Sequence, residues 1–205
     1  MKDIKNIIFD LGGVLLNIDY NATSKAFKQL GAEQFDELYS QSGANHLFEA
    51  LETGGISEQQ FYESMEQYCK KGTTREQMEE AWNAILQDWR MDSLASLEEF
   101  KNEYKLYLLS NTNSIHHTAF NKTLLKATGR HSLDDYFTKS YYSHVIQRRK
   151  PYAATYHWVL SDGGMKAEET LFIDDSIVNI NGAKEAGLRT HLLLPGEKLS
   201  DLALL

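Results

Sequence analysis

An apolar run, Ile7-Ile8-Phe9, stops abruptly at Asp10, and Leu11, Gly12 and Gly13 follow at once. A run this short, bounded by glycines, reads as a strand buried on both faces, the kind found in parallel sheets. In open α/β sheets the carboxyl end of such a strand is where ligands bind, and glycines there let backbone groups approach a ligand closely. Taken alone, Asp10 would read more simply as a turn or helix-capping residue.

Asp10 does not stand alone. Strand-like runs recur at Leu106-Leu109, Thr170-Ile173 and Thr190-Leu194, with a weaker one at Lys139-Tyr142. The last two strong runs are separated by a helical pattern from Ile177 to Ala186 that stops at Gly187. Short apolar strands alternating with helices predict an α/β fold with a doubly wound parallel sheet. About 90 residues separate the first two strands, far more than one crossover helix needs, so something is inserted there. The insertion repeats helix signals: Thr23 to Leu30 ending at Gly31, Phe35 to Tyr39, a Ser57–Gln60 capping box opening a helix through Tyr68, and Thr74 opening another with Met78, Trp82 and Ile85. The expected organisation is a core of residues 1–17 and 95–205 with a helical subdomain at 18–94, whose aromatic residues form its own core.

The other strand ends carry chemistry too. Leu109 is followed by Ser110-Asn111-Thr112-Asn113, Ile173 by Asp174-Asp175-Ser176, and Arg148-Arg149-Lys150-Pro151 lies between them. In a parallel sheet these ends share one edge, so Asp10, Ser110 and the Asp174-Asp175 pair are expected to converge. Three carboxylates in one crevice repel. A hard divalent cation with oxygen ligands removes that conflict, and Mg²⁺, which keeps waters and takes few carboxylates plus a phosphate, suits these residues. The competing reading is that Asp174 or Asp175 caps the following helix. Pro151 is placed as the first residue of a helix through Tyr156 and Val159, with Lys150 as its N-cap. Three cations would then crowd the positive end of the helix dipole, which calls for an anion; a phosphate contact is expected for Lys150, and a solvated basic loop is the alternative for the arginines.

On the four segments Phe9-Asp10-Leu11-Gly12-Gly13-Val14, Leu109-Ser110-Asn111, Arg149-Lys150-Pro151 and Phe172-Ile173-Asp174-Asp175, in that order, the chain resembles the haloacid dehalogenase superfamily over nearly its whole length. The resemblance implies a Rossmann-like core, a helical cap in the insertion, and an Mg²⁺-dependent phosphatase. It implies Asp10 as nucleophile and metal ligand, Ser110 and Asn111 as phosphate-binding, Lys150 as the neutralising cation, and Asp174, Asp175 and the Gly12 carbonyl as further metal ligands. Most phosphatases of the superfamily carry an acid–base aspartate two residues after the nucleophile. Gly12 stands there in this chain, and Asp19 and His116 are the candidate substitutes; otherwise Asp19 caps a helix and His116 is solvated. On the Leu-Gly-Gly opening, Asn17-Ile18-Asp19-Tyr20, Ser110-Asn111-Thr112-Asn113 and the Asp-Asp pair, the chain most resembles the sugar-phosphatase branch that includes α-glucose-1-phosphatase, which implies a sugar phosphate such as a hexose 1-phosphate as substrate. His46, Phe48 and Glu49, before Gly54-Gly55, are candidates to face the leaving group, with core packing the alternative. A 2-haloacid dehalogenase, a sugar phosphomutase and a catalytically weak phosphate-binding protein are the other readings.

Composition narrows the partners. A formal charge of −8 opposes nucleic acid or an anionic membrane as the main partner, leaving a small phosphorylated metabolite. Cys69 is the only cysteine, so no intrachain disulfide forms. No signal-like or membrane-spanning stretch is evident, and a cytoplasmic monomer or weak dimer is expected.

Overall fold

The computed structural model describes residues 3–40, 43, 44 and 46–202. The remaining positions covered by the expected domain ranges, 1, 2, 41, 42, 45 and 203–205, lie outside the described residues. The chain opens with β1 (Asn6–Phe9) and β2 (Leu16–Ile18), then passes through α1 (Tyr20–Gln29), α2 (Phe35–Leu38), the short pair β3 (Tyr39–Ser40) and β4 (Gly43–Ala44), α3 (His46–Glu52), α4 (Glu58–Glu66) and α5 (Arg75–Asn83). It returns along β5 (Leu86–Trp89) to α6 (Met91–Phe100), β6 (Lys105–Ser110), α7 (Ser114–Thr128), β7 (Lys139–Tyr142) and α8 (Ser143–Ile146). It closes with α9 (Ala153–Asp162), β8 (Thr170–Asp174), α10 (Ile177–Glu185) and β9 (Arg189–Leu192).

Five strands form one parallel sheet in the order β7-β6-β1-β8-β9. From β1 the chain winds outward through β6 to β7, then crosses to the other side of β1 for β8 and β9. The switch in winding direction falls at β1, where open α/β sheets leave a crevice beyond their carboxyl ends. Alternation along β1 explains its burial: Ile7 and Phe9 pack with Leu97, Phe100, Phe120 and Leu124 of α6 and α7, whereas Ile8 packs with Tyr156, Val159 and Ile180 of α9 and α10. All four residues of β1 are buried because both faces are covered.

The inserted helices have a separate apolar cluster of Phe27, Phe35, Phe48, Phe61, Met65 and Trp82. Phe27 and Phe35 stack at 4.5 Å, and each fully buried ring contributes about 1.5–3 kcal/mol of apolar transfer. Both capping boxes form, Ser57 with Gln60 and Thr74 with Gln77. The two crossings between sheet and insertion, β2 and β5, pair antiparallel as a two-stranded ribbon.

Local expectations shift in five places. The first inserted helix begins at Tyr20 because Asp19 caps it, accepting from the Asn21 amide. The helix from Ser57 ends at Glu66 rather than Tyr68, and Ile85 falls outside α5. The last strand spans Arg189–Leu192, two residues short of Leu194. The helix after Pro151 starts at Ala153 with Tyr152 as its cap, so Lys150 is not the N-cap. Its peptide group is taken by Asn111 instead, as described below.

Candidate functional site

Asp10 is the first residue beyond β1, between Ser110 at the end of β6 and Asp174 at the end of β8. The Asp10 amide donates to the Ile173 carbonyl, which extends the ladder by one step and fixes the side chain at the sheet edge. Gly13, at φ +70°, turns the chain back; a Cβ there would lie 2.2 Å from Asp175 Oδ2, so only glycine lets this loop close against Asp175. Asp10, Asp174 and Asp175 each present an oxygen within 4.8 Å of the others'. The expected convergence of the strand ends is therefore what the fold brings about.

Lys150 is the hub of this cluster. Its ammonium is 1% exposed and lies 2.7 Å from Asp10 Oδ1 and 2.7 Å from Asp174 Oδ2. Burial alone would drive the proton off, but the two carboxylates outweigh it and hold Lys150 above its ordinary range. Asn111 sets its backbone: the carboxamide oxygen accepts from the Lys150 amide at 2.9 Å, and the carboxamide nitrogen donates to the Lys150 carbonyl at 3.0 Å. The Asn111 side chain is thus committed to Lys150. Asp174 is fully buried and also accepts from the Ser176 amide at 2.8 Å and from Asn179 Nδ2 at 3.1 Å. Asp174 therefore combines a loop-capping role with the Lys150 ion pair, while Asp175 faces the cavity.

The carboxylates are short of positive charge. Burial pushes Asp10 well above the carboxylate range, Lys150 pulls it back, and Asp174 and Asp175 raise it again. Burial, then Asp174, lifts Asp175 to about 6. One ammonium against three carboxylates leaves a deficit of two charges, which matches a divalent cation on hard oxygen donors.

A cavity of about 430 Å³ opens from this edge towards the insertion. Asp10, Gly12, Ser110, Asn111, Lys150 and Asp175 line it from the sheet, and Tyr20, Tyr39 and Glu52 from the inserted segment. Ser110 is 2% exposed, at the last position of β6. Both arginines of the basic run find partners within the chain. Arg148 sits over the Trp158 ring at 5.5 Å, and Arg149 reaches Glu49 at 3.4 Å and Glu52 at 3.2 Å on α3. Arg149 and Lys150 are thus held in ion pairs, while Arg148 is exposed and lies over an aromatic ring.

Two candidate proton carriers are otherwise engaged. Asp19 is the cap of α1. His116 is buried rather than solvated: Nδ1 accepts from Asn113 Nδ2 at 3.1 Å, Nε2 donates to the Trp82 carbonyl at 3.1 Å, and the ring stacks on Trp82 at 4.6 Å. Burial lowers its pKa to about 4, so the ring is neutral. Among the residues proposed to face a leaving group, Phe48 is in the apolar core of the insertion, Glu49 is turned to Arg149, and His46 is exposed outside the cavity lining. Tyr20, Tyr39 and Glu52 line the cavity from the insertion instead, a role the sequence reading gave to none of them. Glu52 at the end of an amphipathic helix looks like any solvated carboxylate, and only its partner Arg149, nearly a hundred residues on, distinguishes it.

No helix among the described residues is long and apolar enough to cross a membrane. Comparison with known proteins agrees with the geometry. A D-ribitol-5-phosphate phosphatase of Bacteroides thetaiotaomicron is 32% identical over 190 residues, 91% of this chain and 90% of that protein. A HAD family enzyme of Bacteroides thetaiotaomicron, solved as a magnesium complex, superposes with a TM-score of 0.91 at 33% identity over the whole of both chains. The same enzyme was solved with magnesium and inorganic phosphate, and that structure superposes at 0.84 over 98% of this chain and 99% of that one. A HAD-like family hydrolase from Porphyromonas gingivalis superposes at 0.85 with 34% identity, over 95% of this chain and 93% of that one. The model of haloacid dehalogenase-like hydrolases matches residues 7–193, and the chain belongs to that family.

Proposed function

We propose that the protein is an Mg²⁺-dependent phosphatase of small sugar or polyol phosphates that works through an aspartyl-phosphate on Asp10. The observation that carries this reading is the charge deficit at the sheet edge, where Asp10 shares one buried ammonium with Asp174 beside Asp175. Asp10, Asp175 and the Gly12 carbonyl would hold the metal, with Asp174 beside them. Bound there, Mg²⁺ would supply positive charge to the transferring phosphoryl group.

The Lys150 bond and the bond from the Leu11 amide, 2.7 Å each, both fall on Asp10 Oδ1. This leaves Oδ2 as the attacking atom. Oδ2 forms a bond to phosphorus as the ester P–O bond breaks and the leaving oxygen departs with the electron pair to take a proton from water; a water then attacks phosphorus, releasing inorganic phosphate and restoring the carboxylate. Ser110 binds a phosphoryl oxygen, Lys150 neutralises nucleophile and phosphoryl group together, and Asn111 keeps Lys150 in place. The named relative acts on a pentitol 5-phosphate, which widens the expected substrate from hexose 1-phosphates to primary esters of acyclic polyols. A 2-haloacid dehalogenase needs no metal, and the three-carboxylate cluster argues against that reading.

The experiment is phosphate release from a panel of hexose 1-phosphates and pentitol 5-phosphates, with and without Mg²⁺. Turnover should require Mg²⁺ and be lost reversibly in EDTA. Asp175→Asn should raise the half-saturating Mg²⁺ concentration by about 10–100-fold, with a smaller effect on the saturated rate. Undiminished turnover in EDTA would refute the metal assignment.

A further inference from the structure

The cavity changes character away from the sheet edge. Its insertion-side wall presents Tyr20 and Tyr39, whose hydroxyls are hydrogen-bonded to one another, and Glu52, which is 8% exposed. Burial holds both phenols above their ordinary range, so they remain neutral donors and acceptors. Among the described residues lining the cavity, the lysines and arginines are Lys150 and Arg149. Lys150 is taken by Asp10 and Asp174, and Arg149 by Glu49 and Glu52. Arg149 Nε is buried without a hydrogen-bond partner, but its guanidinium is shared between two carboxylates, so the Arg149–Glu49–Glu52 group carries one more negative than positive charge and opposes a second anion at the insertion-side wall. The ion pair with Arg149 does not consume Glu52 fully: its Oε2 accepts no hydrogen bond although Arg149 Nη2 lies 3.2 Å away.

Resting on the phosphatase reading above, we propose that Glu52 is a specificity-determining residue that admits phosphomonoesters whose far end carries neutral hydroxyls and rejects those whose far end carries a second anion. A hydroxyl satisfies this wall because it donates to a carboxylate and also exchanges hydrogen bonds with the tyrosines. A carboxylate or second phosphate at the same place meets a like charge in a partly desolvated site, which is where such juxtaposition discriminates most. The predicted substrate class is thus a monophosphate of a neutral polyol or sugar. Sugar acid phosphates and bisphosphates of similar length are excluded.

The test uses pairs matched in length: ribitol 5-phosphate with 5-phosphoribonate, sorbitol 6-phosphate with 6-phosphogluconate, and glycerol 3-phosphate with 3-phosphoglycerate. The wild-type enzyme should favour the neutral member of the best pair by at least about 30-fold in kcat/KM, mostly through KM. Glu52→Gln should bring that ratio to within about fivefold, whatever happens to the absolute rate. Tyr39→Phe, which changes no charge, should raise KM for both members of a pair by similar factors and leave the ratio largely unchanged. Equal turnover of neutral and anionic members by the wild type would overturn the proposal, even if no Glu52 variant folds. So would an unchanged ratio in Glu52→Gln. A loss of kcat confined to poor leaving groups with the ratio intact would also overturn it and make Glu52 a proton donor instead. If p-nitrophenyl phosphate and every other ester went unhydrolysed, the phosphatase reading would fall together with this proposal.

Discussion

Asn111 holds Lys150 by both of its backbone polar groups, accepting from the amide at 2.9 Å and donating to the carbonyl at 3.0 Å. The residue after Ser110 on one strand end thus fixes the loop that carries the cation from the far side of the sheet. Lys150 Nζ is consequently placed between Asp10 and Asp174 with almost no solvent exposure.

Removing that ammonium should cost both rate and stability. Lys150→Met keeps most of the stem volume but leaves Asp10 and Asp174 buried without their counter-charge, which destabilises by about 3–5 kcal/mol. Loss of the group that neutralises the phosphoryl oxygens should reduce kcat by about 10²–10³-fold or more. Urea unfolding and steady-state kinetics of the variant check the two effects. A variant as stable and active as wild type would mean that the ion pairs do not matter.

His116 makes stability depend on pH. Its pKa in the folded protein is lowered to about 4, from an unfolded value near 6.5. Below pH 6.5 the unfolded chain takes up a proton that the folded chain refuses. The stabilisation is therefore complete above about pH 6.5 and disappears as pH falls towards 4, amounting to about 3 kcal/mol at most. His116→Gln should flatten the urea-midpoint profile between pH 7 and 4 relative to wild type. Parallel profiles would show that this ring titrates normally in the fold.

Much of this is legible in the sequence, because it depends on short periods. Strand ends at Asp10, Ser110 and Asp174 follow from apolar runs that stop at polar residues, and parallel topology brings them to one edge. Two inserted helices announced themselves through the Ser57 and Thr74 capping boxes. Other features depend on partners distant in sequence and so left no local trace. Lys150 next to a proline resembles a helix cap, yet Asn111 takes its peptide group. His116 resembles a solvated histidine until Trp82 and Asn113 close over it. The β2–β5 ribbon joins residues about seventy positions apart, and neither strand has the alternation that would mark it alone.

Gly12 leads to a prediction about leaving groups. With Asp19 capping α1 and His116 bonded on both nitrogens, neither expected substitute can carry the proton. Hydrolysis should then depend on leaving-group pKa, with p-nitrophenyl phosphate cleaved faster than an alkyl ester in kcat. A side chain at Gly12 would meet the terminal methyl of Ile18 at 2.9 Å, the flexible end of a side chain that can turn aside. Gly12→Asp should therefore fold and raise kcat on alkyl esters by about 10–100-fold, with little change on the activated ester. No gain on alkyl esters in a folded variant would mean that the substrate's own hydroxyl or another group already serves as the acid.

The most direct test of the account is the steady-state rate of Asp10→Asn on the best phosphate ester at saturating Mg²⁺. Asparagine keeps the size of the side chain but is no nucleophile, so turnover should fall by at least about 10⁴-fold while the thermal midpoint shows the variant to be folded. Turnover within tenfold of wild type, which is about 1.4 kcal/mol in barrier, would contradict the aspartyl-phosphate mechanism outright.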